Sequence, residues 1–470
     1  DFYERDYLYI NNQDGTFSEE IENWTGHISH SSMGADMADI NNDGHTDIFV
    51  TDMLAEDDKR AKEVSEFDRP DIYELRQRRG FYNQQMQNTL QLNTGNNVFS
   101  EIAYFSGVAK TDWSWSPLIF DMDNDGYRDI YVSNGMNHDL TDGDFMDFFA
   151  NELIQKMVTT GKKQEVDSII KEMPQVPILN YAFKNNQNLT FSKKMEAWGF
   201  NTPSFSNGSA YGDLDNDGDL DLLVNNVNMP AFIYRNNSEI INPNNHYVKL
   251  KLNGTNKNTY GIGSTVDLYT KKGILRNVLI PSRGFQSSVD YVLTIGLGDE
   301  KIIDSAFVMW PSGFSQKFKN LPVDTTLVFN EISAKKYPNN KQTIKQTTYL
   351  NRIENNILIK HNENNFSDFD YEGLIPKKIS QEGPAVAIGD IDNDGLEDIF
   401  VGGAKNQIGI LYFNKGNSIV KFNNQTVFKN DAAFEDTAAE FIDIDGDNDL
   451  DLVVGTGGNE PYEPSTYQIR

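Results

Sequence analysis

Five short segments of the sequence place carboxylate side chains at alternate positions. Each follows the pattern Asp-x-(Asp or Asn)-x-Asp-Gly-x-x-Asp and runs into an apolar stretch such as Ile-Phe-Val, although the fifth copy exchanges Gly and Asn at positions 4 and 6. The candidate metal ligands are the side chains at positions 1, 3, 5 and 9. These are Asp39, Asn41, Asp43 and Asp47; Asp121, Asp123, Asp125 and Asp129; Asp213, Asp215, Asp217 and Asp221; Asp390, Asp392, Asp394 and Asp398; and Asp443, Asp445, Asp447 and Asp451.

An oxygen-only donor set of this kind is suited to calcium. Ca²⁺ takes about six to eight oxygen ligands, and Gly at position 6 permits the sharp turn that lets alternate side chains converge on one point. Position 7 is expected to offer its backbone carbonyl. We therefore predict about five structural Ca²⁺ sites, with position 7 occupied by His45, Tyr127, Asp219, Leu396 and Asp449.

Two other interpretations of the motif are weaker. An EF-hand loop needs a bidentate Glu at position 12 and a helix on either side, but position 12 is apolar in every copy: Val50, Val132, Val224, Val401 and Val454. Solvated Asp-rich turns are common, yet five turns would not need carboxylates at four fixed positions. The pattern favours a metal loop that leads into a strand.

The elements that must position these loops are β-strands. Between the loops lie aromatic or aliphatic strands joined by Asn- and Gly-containing turns, as in residues 90–99, which is a hairpin signal. One loop and one hairpin make about four strands, which is one blade of a β-propeller. Residues 55–89 and 137–178 exceed this unit, and we predict helical insertions there that contact a partner or pack on their own blade. The second insertion has an apolar face formed by Phe145, Phe148, Phe149, Leu153 and Met157.

The longest interval between loops holds a separate domain, in which short runs of alternating apolar and polar residues lie between Gly turns. Such runs predict a small β-sandwich or barrel. We thus expect a mainly β chain in which calcium-loop blades, forming parts of two propellers, flank this domain. The expected boundaries are 1–243 for propeller blades, 244–332 for the β domain, 333–380 for a linker and entry strand, and 381–470 for blades of a second or continued propeller.

The loops resemble the FG-GAP or VCBS repeats of integrin-α-type β-propellers, in which the metal loop is structural. The intervening segment resembles the ASPIC/UnbV domain, and the resemblance rests on residues 246–254, 260–266, 283–287, 295–298 and 308–313. The combination is similar to bacterial cartilage-acidic-protein-like surface proteins, many of which are lipoproteins linked to outer-membrane nutrient importers. This resemblance implies an extracellular or outer-membrane location, with a lipid anchor at an N-terminus that lies outside the sequence.

Composition narrows the classes of function. The formal net charge of −29 argues against nucleic acid and anionic membranes as partners. The absence of Cys excludes disulfides and thiol chemistry, and no apolar run is long enough for a transmembrane helix. Asp1 and Arg470 each fall inside a repeat pattern, so we expect both ends of the natural protein to be missing.

Three further groups of residues could carry chemistry, and each has an ordinary structural interpretation that we favour. A metal or triad site could be formed by His27, His30, Ser31 and Ser32, but a polar loop before a strand explains them as well. A second metal site could be formed by His138, Asp139, Asp142 and Asp144, but a helix N-terminus rich in Asp is the ordinary interpretation. A sugar platform could be formed by Trp113 and Trp115, but a blade core is the ordinary interpretation.

The expected function is that of a calcium-stabilised cell-surface binding or scaffold protein without enzyme activity. Its propeller faces would bind a protein or glycan partner, as in an accessory subunit of an outer-membrane complex. The alternative is a hydrolase or lyase that acts on polysaccharide at a site in the propeller channel, since a fold alone does not decide function.

Overall fold

In the computed structural model the chain forms two compact units, Asp1–Asn340 (unit 1) and Lys341–Arg470 (unit 2). The structure describes residues 5–64, 70–139, 141–145, 151–161, 170, 173–336, 350, 360–375, 377–416, 418–423 and 426–458. The boundary between the units lies within 333–380, the segment that the sequence assigns to a linker.

Unit 1 begins with short strands. A hairpin pairs β1 (Tyr9–Asn11) with β2 (Phe17–Glu19), and β3 (Ile28–Ser29) pairs in parallel with β6 (Gln84–Gln85). Three antiparallel meanders follow, each with one Asp-rich loop between its first two strands. Repeat sheet 1 is β4 (Ala35–Ala38), β5 (Asp47–Val50), β7 (Thr89–Asn93) and β8 (Phe99–Glu101); repeat sheet 2 is β9 (Ser114–Phe120), β10 (Asp129–Asn134), β11 (Tyr181–Asn185) and β12 (Phe191–Lys193); repeat sheet 3 is β13 (Ser206–Gly212), β14 (Asp221–Asn226) and β15 (Phe232–Tyr234).

These three sheets pack face to face. One apolar core joins repeat sheets 1 and 2 through residues such as Phe49, Ile130 and Phe183, and a second joins repeat sheets 2 and 3 through residues such as Tyr131 and Leu222. Because repeat sheet 2 is covered on both faces, every residue of β10 is buried. A strand covered on both sides needs a continuous apolar run rather than strict alternation, as Ile-Tyr-Val after the second loop shows.

The rest of unit 1 is a β-sandwich whose two sheets enclose one core around Trp310 and Phe329. Strand β16 (His246–Asn253) pairs in parallel with β24 (Thr325–Asn330) and antiparallel with β21 (Val292–Gly298). A small hairpin, β19 (Ser282–Arg283) with β20 (Ser287–Ser288), projects from the sandwich. The three-stranded sheet is β16 (His246–Asn253), β21 (Val292–Gly298) and β24 (Thr325–Asn330); the five-stranded sheet is β17 (Thr265–Thr270), β18 (Gly273–Val278), β22 (Ile302–Met309), β23 (Phe314–Pro322) and β25 (Lys335–Lys336).

Unit 2 repeats the loop-bearing architecture. An apolar core containing Phe400, Leu411 and Val454 joins its two sheets. Repeat sheet 4 is β26 (Val386–Gly389), β27 (Asp398–Val401), β28 (Ile410–Asn414) and β29 (Ile419–Lys421), and repeat sheet 5 is β30 (Glu435–Ile442) and β31 (Asp451–Gly457).

Helices are short. The described helices are α1 (Ile21–Trp24), α2 (Asp58–Val64), α3 (Pro70–Arg78), α4 (Ala103–Ser106), α5 (Asn151–Thr160), α6 (Ser238–Ile241) and α7 (Thr426–Asn430), with 3₁₀ turns at Glu331–Ser333 and Asp368–Asp370. Helices α2 and α3 lie in the segment predicted as the first insertion, and α5 lies in the segment predicted as the second. Of the apolar face predicted for the second insertion, Phe145 is buried in its own chain. The other helical stretch, 164–173, and the side chains of Phe148, Phe149 and Leu153 lie largely outside the described residues.

The mainly β fold predicted from the sequence is confirmed. Among the described residues, three repeat sheets stack in unit 1 and two pair in unit 2, and no sheet closes into a ring. In this part of the chain, no helix has the length and apolar character needed to cross a membrane.

Candidate metal loops

The backbone of each Asp-rich loop is set by two residues in the left-handed conformation, at positions 4 and 6. In the first loop these are Asn42 (φ +59°) and Gly44 (φ +86°), and in the fifth loop they are Gly446 (φ +79°) and Asn448 (φ +71°). Gly and Asn both adopt this conformation at low cost. The exchange of Gly and Asn in the fifth copy therefore leaves the turn intact.

The aspartate at position 1 holds the turn closed. In the second loop, Asp121 Oδ1 accepts the N–H of Asp125 at 3.1 Å, and Asp121 Oδ2 accepts the N–H of Gly126 at 2.8 Å. The first and fourth loops repeat both hydrogen bonds with Asp39 and Asp390. Position 5 acts similarly, because Asp125 Oδ1 accepts the N–H of position 7.

The aspartate at position 9 ties the loop to the hairpin of its own sheet. Asp129 is fully buried; its Oδ2 accepts the N–H of Met122 at 3.0 Å, and its Oδ1 accepts the N–H of Asn185 at 2.8 Å. The same pair of bonds recurs at Asp47, Asp221 and Asp398. Each carboxylate oxygen keeps a second lone pair that can bind an ion.

Carboxylate oxygens converge in four of the five loops. In each, one oxygen from every member of a trio lies within 4.8 Å of the other two. Asp123 Oδ1 and Asp213 Oδ1 are buried without a hydrogen-bond partner, which is costly unless an ion satisfies them. The donors therefore fit a hard divalent cation, which when bound would supply the missing positive charge. The trios are Asp121, Asp123 and Asp129; Asp213, Asp215 and Asp217; Asp390, Asp392 and Asp398; and Asp443, Asp445 and Asp451.

The first loop differs because its position 3 is an amide. Asn41 Nδ2 donates to Asp43 Oδ2 at 3.0 Å, and the described part of the loop has no trio of converging carboxylates. The position 7 residues His45, Tyr127, Asp219, Leu396 and Asp449 direct their N–H groups at the position 5 aspartate. The use of their carbonyls as ligands stays a prediction.

Cationic side chains reach the same oxygens in the second, third and fourth loops. Lys184 contacts Asp123, and its Nζ lies 2.8 Å from Asp125 Oδ2. In the same way, Arg235 Nε lies 2.8 Å from Asp215 Oδ2 and Lys415 Nζ lies 2.8 Å from Asp394 Oδ2. The loops are therefore anionic enough to attract a cation from their own chain, and a bound metal ion would compete with these side chains.

Burial and mutual repulsion raise the pKa of several loop aspartates. Desolvation, followed by the charges of Asp125 and Asp123, raises the pKa of Asp121 to about 8. Desolvation is also the main cause that raises the pKa of Asp47 to about 7 and, with the charge of Asp217, the pKa of Asp219 to about 8. Unpaired ionised carboxylates are thus costly here, and a bound cation would favour their ionised form.

The position 4 asparagines link neighbouring loops, a role that we did not predict. Asn42 Nδ2 donates to the carbonyl of Gly126 at 2.9 Å, and Asn124 Nδ2 donates to the carbonyl of Gly218 at 3.2 Å. Arg128 also donates from Nη1 to the carbonyl of Asp39 at 2.6 Å. The recurrence of Asn at position 4 was the available sequence signal, and it is also explained by the left-handed backbone there.

The sandwich lies across the first three loops. Arg276 donates to the carbonyl of Gly44 in the first loop, and the N–H of Gly298 donates to the carbonyl of Asn124 in the second at 2.9 Å. In the third loop, Lys249 Nζ lies 2.7 Å from Asp213 Oδ2. These contacts mostly use backbone atoms that the predicted cage does not need, so metal binding and sandwich docking are compatible.

The hairpin β19–β20 packs against the first strands of the repeat sheets. Arg283 Nη1 lies 2.7 Å from Asp36 Oδ1 in a buried ion pair, and Gly284 forms a bridge with Ala35. Phe285 packs on Trp115 with ring centroids 4.8 Å apart. Phe285 therefore covers part of the half-buried Trp115, and Trp113 is buried, so both rings have packing roles within the chain.

The other predicted groups have structural roles. Asp139 is buried and pairs with Arg60, while Asp142 Oδ1 accepts the N–H of Phe145 at 2.8 Å, as in a helix N-cap. No cluster of described acidic and His side chains forms a metal site around His138. His30 is buried, and desolvation lowers its pKa to about 4, which suits a neutral structural imidazole.

Comparison with known families agrees with this architecture. The FG-GAP-like repeat model matches residues 1–50, 69–132 and 354–454, and the ASPIC and UnbV model matches residues 254–336. The chain is an FG-GAP-repeat protein that carries an ASPIC/UnbV domain. The third loop lies outside the matched ranges, yet it has the same turn and the same position 9 hydrogen bonds. FG-GAP repeats suggest a surface or binding protein.

No curated protein matches the chain. Among solved structures, the rhamnogalacturonan lyase PL11 of Bacillus licheniformis is 9% identical with a TM-score of 0.13. The match covers 92% of this chain, which spans 59% of the length of that lyase. A TM-score this low carries no information about the fold or the activity of this chain.

Proposed function

We propose that this protein is a calcium-stabilised binding or scaffold protein of the bacterial cell surface. Its loops bind about five structural Ca²⁺ ions, and its propeller faces bind a protein or glycan partner, in the manner of an accessory subunit of an outer-membrane complex. The observation that carries the proposal is the convergence of carboxylate oxygens in four loops, two of which hold a buried oxygen without a hydrogen-bond partner, at Asp123 and Asp213.

Calcium is the ion that this donor set favours. Described donors in the loops are carboxylates and amides, without His or Cys among the converging trios, and flexible oxygen-only sites favour Ca²⁺ over softer metals. The face-to-face stacking of successive meanders supports propeller blades in each unit, because blade-to-blade packing of this kind builds a propeller.

The proposal includes a binding role without catalysis, because the perturbed carboxylates already have structural roles. The carboxylates whose pKa burial raises most, such as Asp47 and Asp121, are loop residues that the structure already uses to fasten strands. The hairpin β19–β20 contacts the first strands of repeat sheets 1 and 2, which are the strands that would face the channel of a propeller. A polysaccharide hydrolase or lyase has no comparable support.

The second helical insertion is the region that we assign to the partner. A blade needs only about four strands, so the insertion is surplus to the fold and must offset its ordering entropy through contacts of its own. Phe145 packs inside the chain, whereas Val158 of helix α5 is exposed. The exposed side of α5 is thus the surface on which a partner would dock.

The test is a deletion of residues 143–173, bridged by a short linker, in the full chain. The deletion should leave calcium-dependent melting unchanged and abolish co-purification of the partner from native membranes. A matched control is replacement of residues 65–69 in the first insertion by a linker of equal length. Unchanged partner recovery after the 143–173 deletion would show that the insertion is not the binding surface.

A further inference from the structure

We propose that the third loop adjoins a second divalent-cation site, formed by Asp217, Asp219 and Glu239. One carboxylate oxygen of each residue lies within 4.8 Å of the other two. The site shares only Asp217 with the trio of the loop itself, which is Asp213, Asp215 and Asp217. The motif accounts for the loop trio, but it assigns no side-chain role to position 7 and does not include Glu239.

Asp219 contributes a buried carboxylate to the proposed site. Its side chain is buried, with the residue only 1% exposed, and its Oδ2 accepts the N–H of Ser238 at 2.9 Å. Its Oδ1 is buried and has no hydrogen-bond partner. A carboxylate oxygen in this position carries a large desolvation cost unless a cation or a donor meets it.

Glu239 brings a second unsatisfied oxygen to the same place. It lies on helix α6, directly after Ser238, so the hydrogen bond between Ser238 and Asp219 holds the two acidic residues together. Glu239 Oε2 is buried without a hydrogen-bond partner. Asp219 and Glu239 thus each bring a buried, unsatisfied oxygen to a cluster in which they converge with Asp217.

Arg235 is the competing occupant. Its Nη2 lies 3.1 Å from Asp217 Oδ2 and 3.1 Å from Glu239 Oε1, while its side chain is 57% exposed. These contacts leave Asp219 Oδ1 and Glu239 Oε2 unmet. The exposed guanidinium of Arg235 therefore neutralises only the outer oxygens of the cluster, and a divalent cation would bind the buried ones.

The chemical class of the ligand follows from the donors. Three carboxylates without nitrogen or sulfur suit a hard cation, and Ca²⁺ accepts the irregular geometry that two sites sharing one carboxylate impose. The inference rests on the proposed calcium loading of the third loop through Asp217 alone. It predicts one more ion in the full chain than the loops by themselves hold.

The test counts calcium per chain by elemental analysis after gel filtration, together with titration calorimetry, on the full chain. Glu239→Gln should bind one ion fewer than the wild type, whereas Glu196→Gln, which alters an exposed glutamate, should bind the same number. Asp215→Asn should remove the loop ion, and the double variant with Glu239→Gln should lose two. Arg235→Gln should tighten the second site by about fivefold, because a competing charge is removed.

The outcomes separate this site from the proposed function. If the wild-type chain binds no calcium, both the calcium-loaded loops and the second site are wrong. If the wild type binds calcium but Glu239→Gln and Glu196→Gln bind equal numbers with equal affinity, only the second site is wrong. An unchanged affinity in Arg235→Gln, together with no loss in Glu239→Gln, would identify Arg235 as the sole cation of the cluster.

Discussion

The aspartate at position 9 fastens two parts of its repeat sheet whether or not an ion is bound. Asp129 accepts one N–H from its own loop and one from the start of the next hairpin turn, at Asn185. Each bond satisfies a buried backbone donor, and a buried donor without a partner costs about 1–3 kcal/mol. At the scale of the residue, the aspartate at position 9 therefore also holds two parts of its sheet together.

Replacing Asp129 by Asn should therefore destabilise unit 1 by about 2–4 kcal/mol, because the amide keeps one acceptor and turns an N–H₂ group towards a backbone donor. The loss should persist in excess chelator. Denaturant unfolding with and without EDTA measures it, with the exposed Asp304→Asn as the control. A loss that vanishes in chelator would show that Asp129 acts only through the ion.

The loop residues were predictable from the sequence because their contacts are local. Positions 1 and 5 bond within the loop, and position 9 makes one of its two hydrogen bonds there, so a short repeated pattern records them. The roles of Lys184 and Glu239 were not predictable in this way. Lys184 meets Asp123 across a sheet, from 61 residues further along the chain, and only the pairing of strands brings such residues together.

At the scale of the element, the glycine at position 6 is a docking point as well as a turn. Gly218 lies so close to the sandwich that an added Cβ would be 2.1 Å from the ring of Tyr247. Gly126 similarly faces Leu297 and Lys272. At Gly126 the added Cβ would make ordinary van der Waals contacts at 3.6–3.7 Å, whereas at Gly218 it would clash with the sandwich.

Gly218→Ala should destabilise unit 1 by more than Gly199→Ala does. Both glycines have positive φ, +98° and +84°, so both substitutions carry about 1–2 kcal/mol of backbone strain. An added Cβ at Gly199 meets nothing within 4 Å, whereas at Gly218 it meets Tyr247. Thermal unfolding of both variants gives the difference, and the double variant Gly218→Ala/Tyr247→Ala should recover part of it.

Equal destabilisation by the two alanine variants would contradict docking of the sandwich on the third loop. The strands themselves were predictable from alternation and turn residues, and so was the separate β domain. Its placement on the loops was not, since contacts such as Lys249 with Asp213 depend on long-range packing rather than on any local pattern.

At the scale of the whole molecule, both units contain the same arrangement. Antiparallel sheets stack face to face, and each sheet has an Asp-rich loop between its first two strands. Burial raises the pKa of carboxylates within the stack, such as Asp121 and Asp47, so keeping them ionised at neutral pH opposes folding. The net charge of −29 has the same effect over the chain. Bound calcium would counter both, so the stability of the protein should depend on it.

The most direct measurement is calorimetric unfolding of the full chain in excess Ca²⁺ and in excess EGTA. A ligand that binds only the folded state at 100 times its Kd adds about 2.7 kcal/mol per site. Several sites should raise the Tm by many degrees, and Mg²⁺ should replace Ca²⁺ poorly because it demands tighter octahedral geometry. Superimposable melting curves in Ca²⁺ and EGTA would contradict the structural calcium on which this account rests.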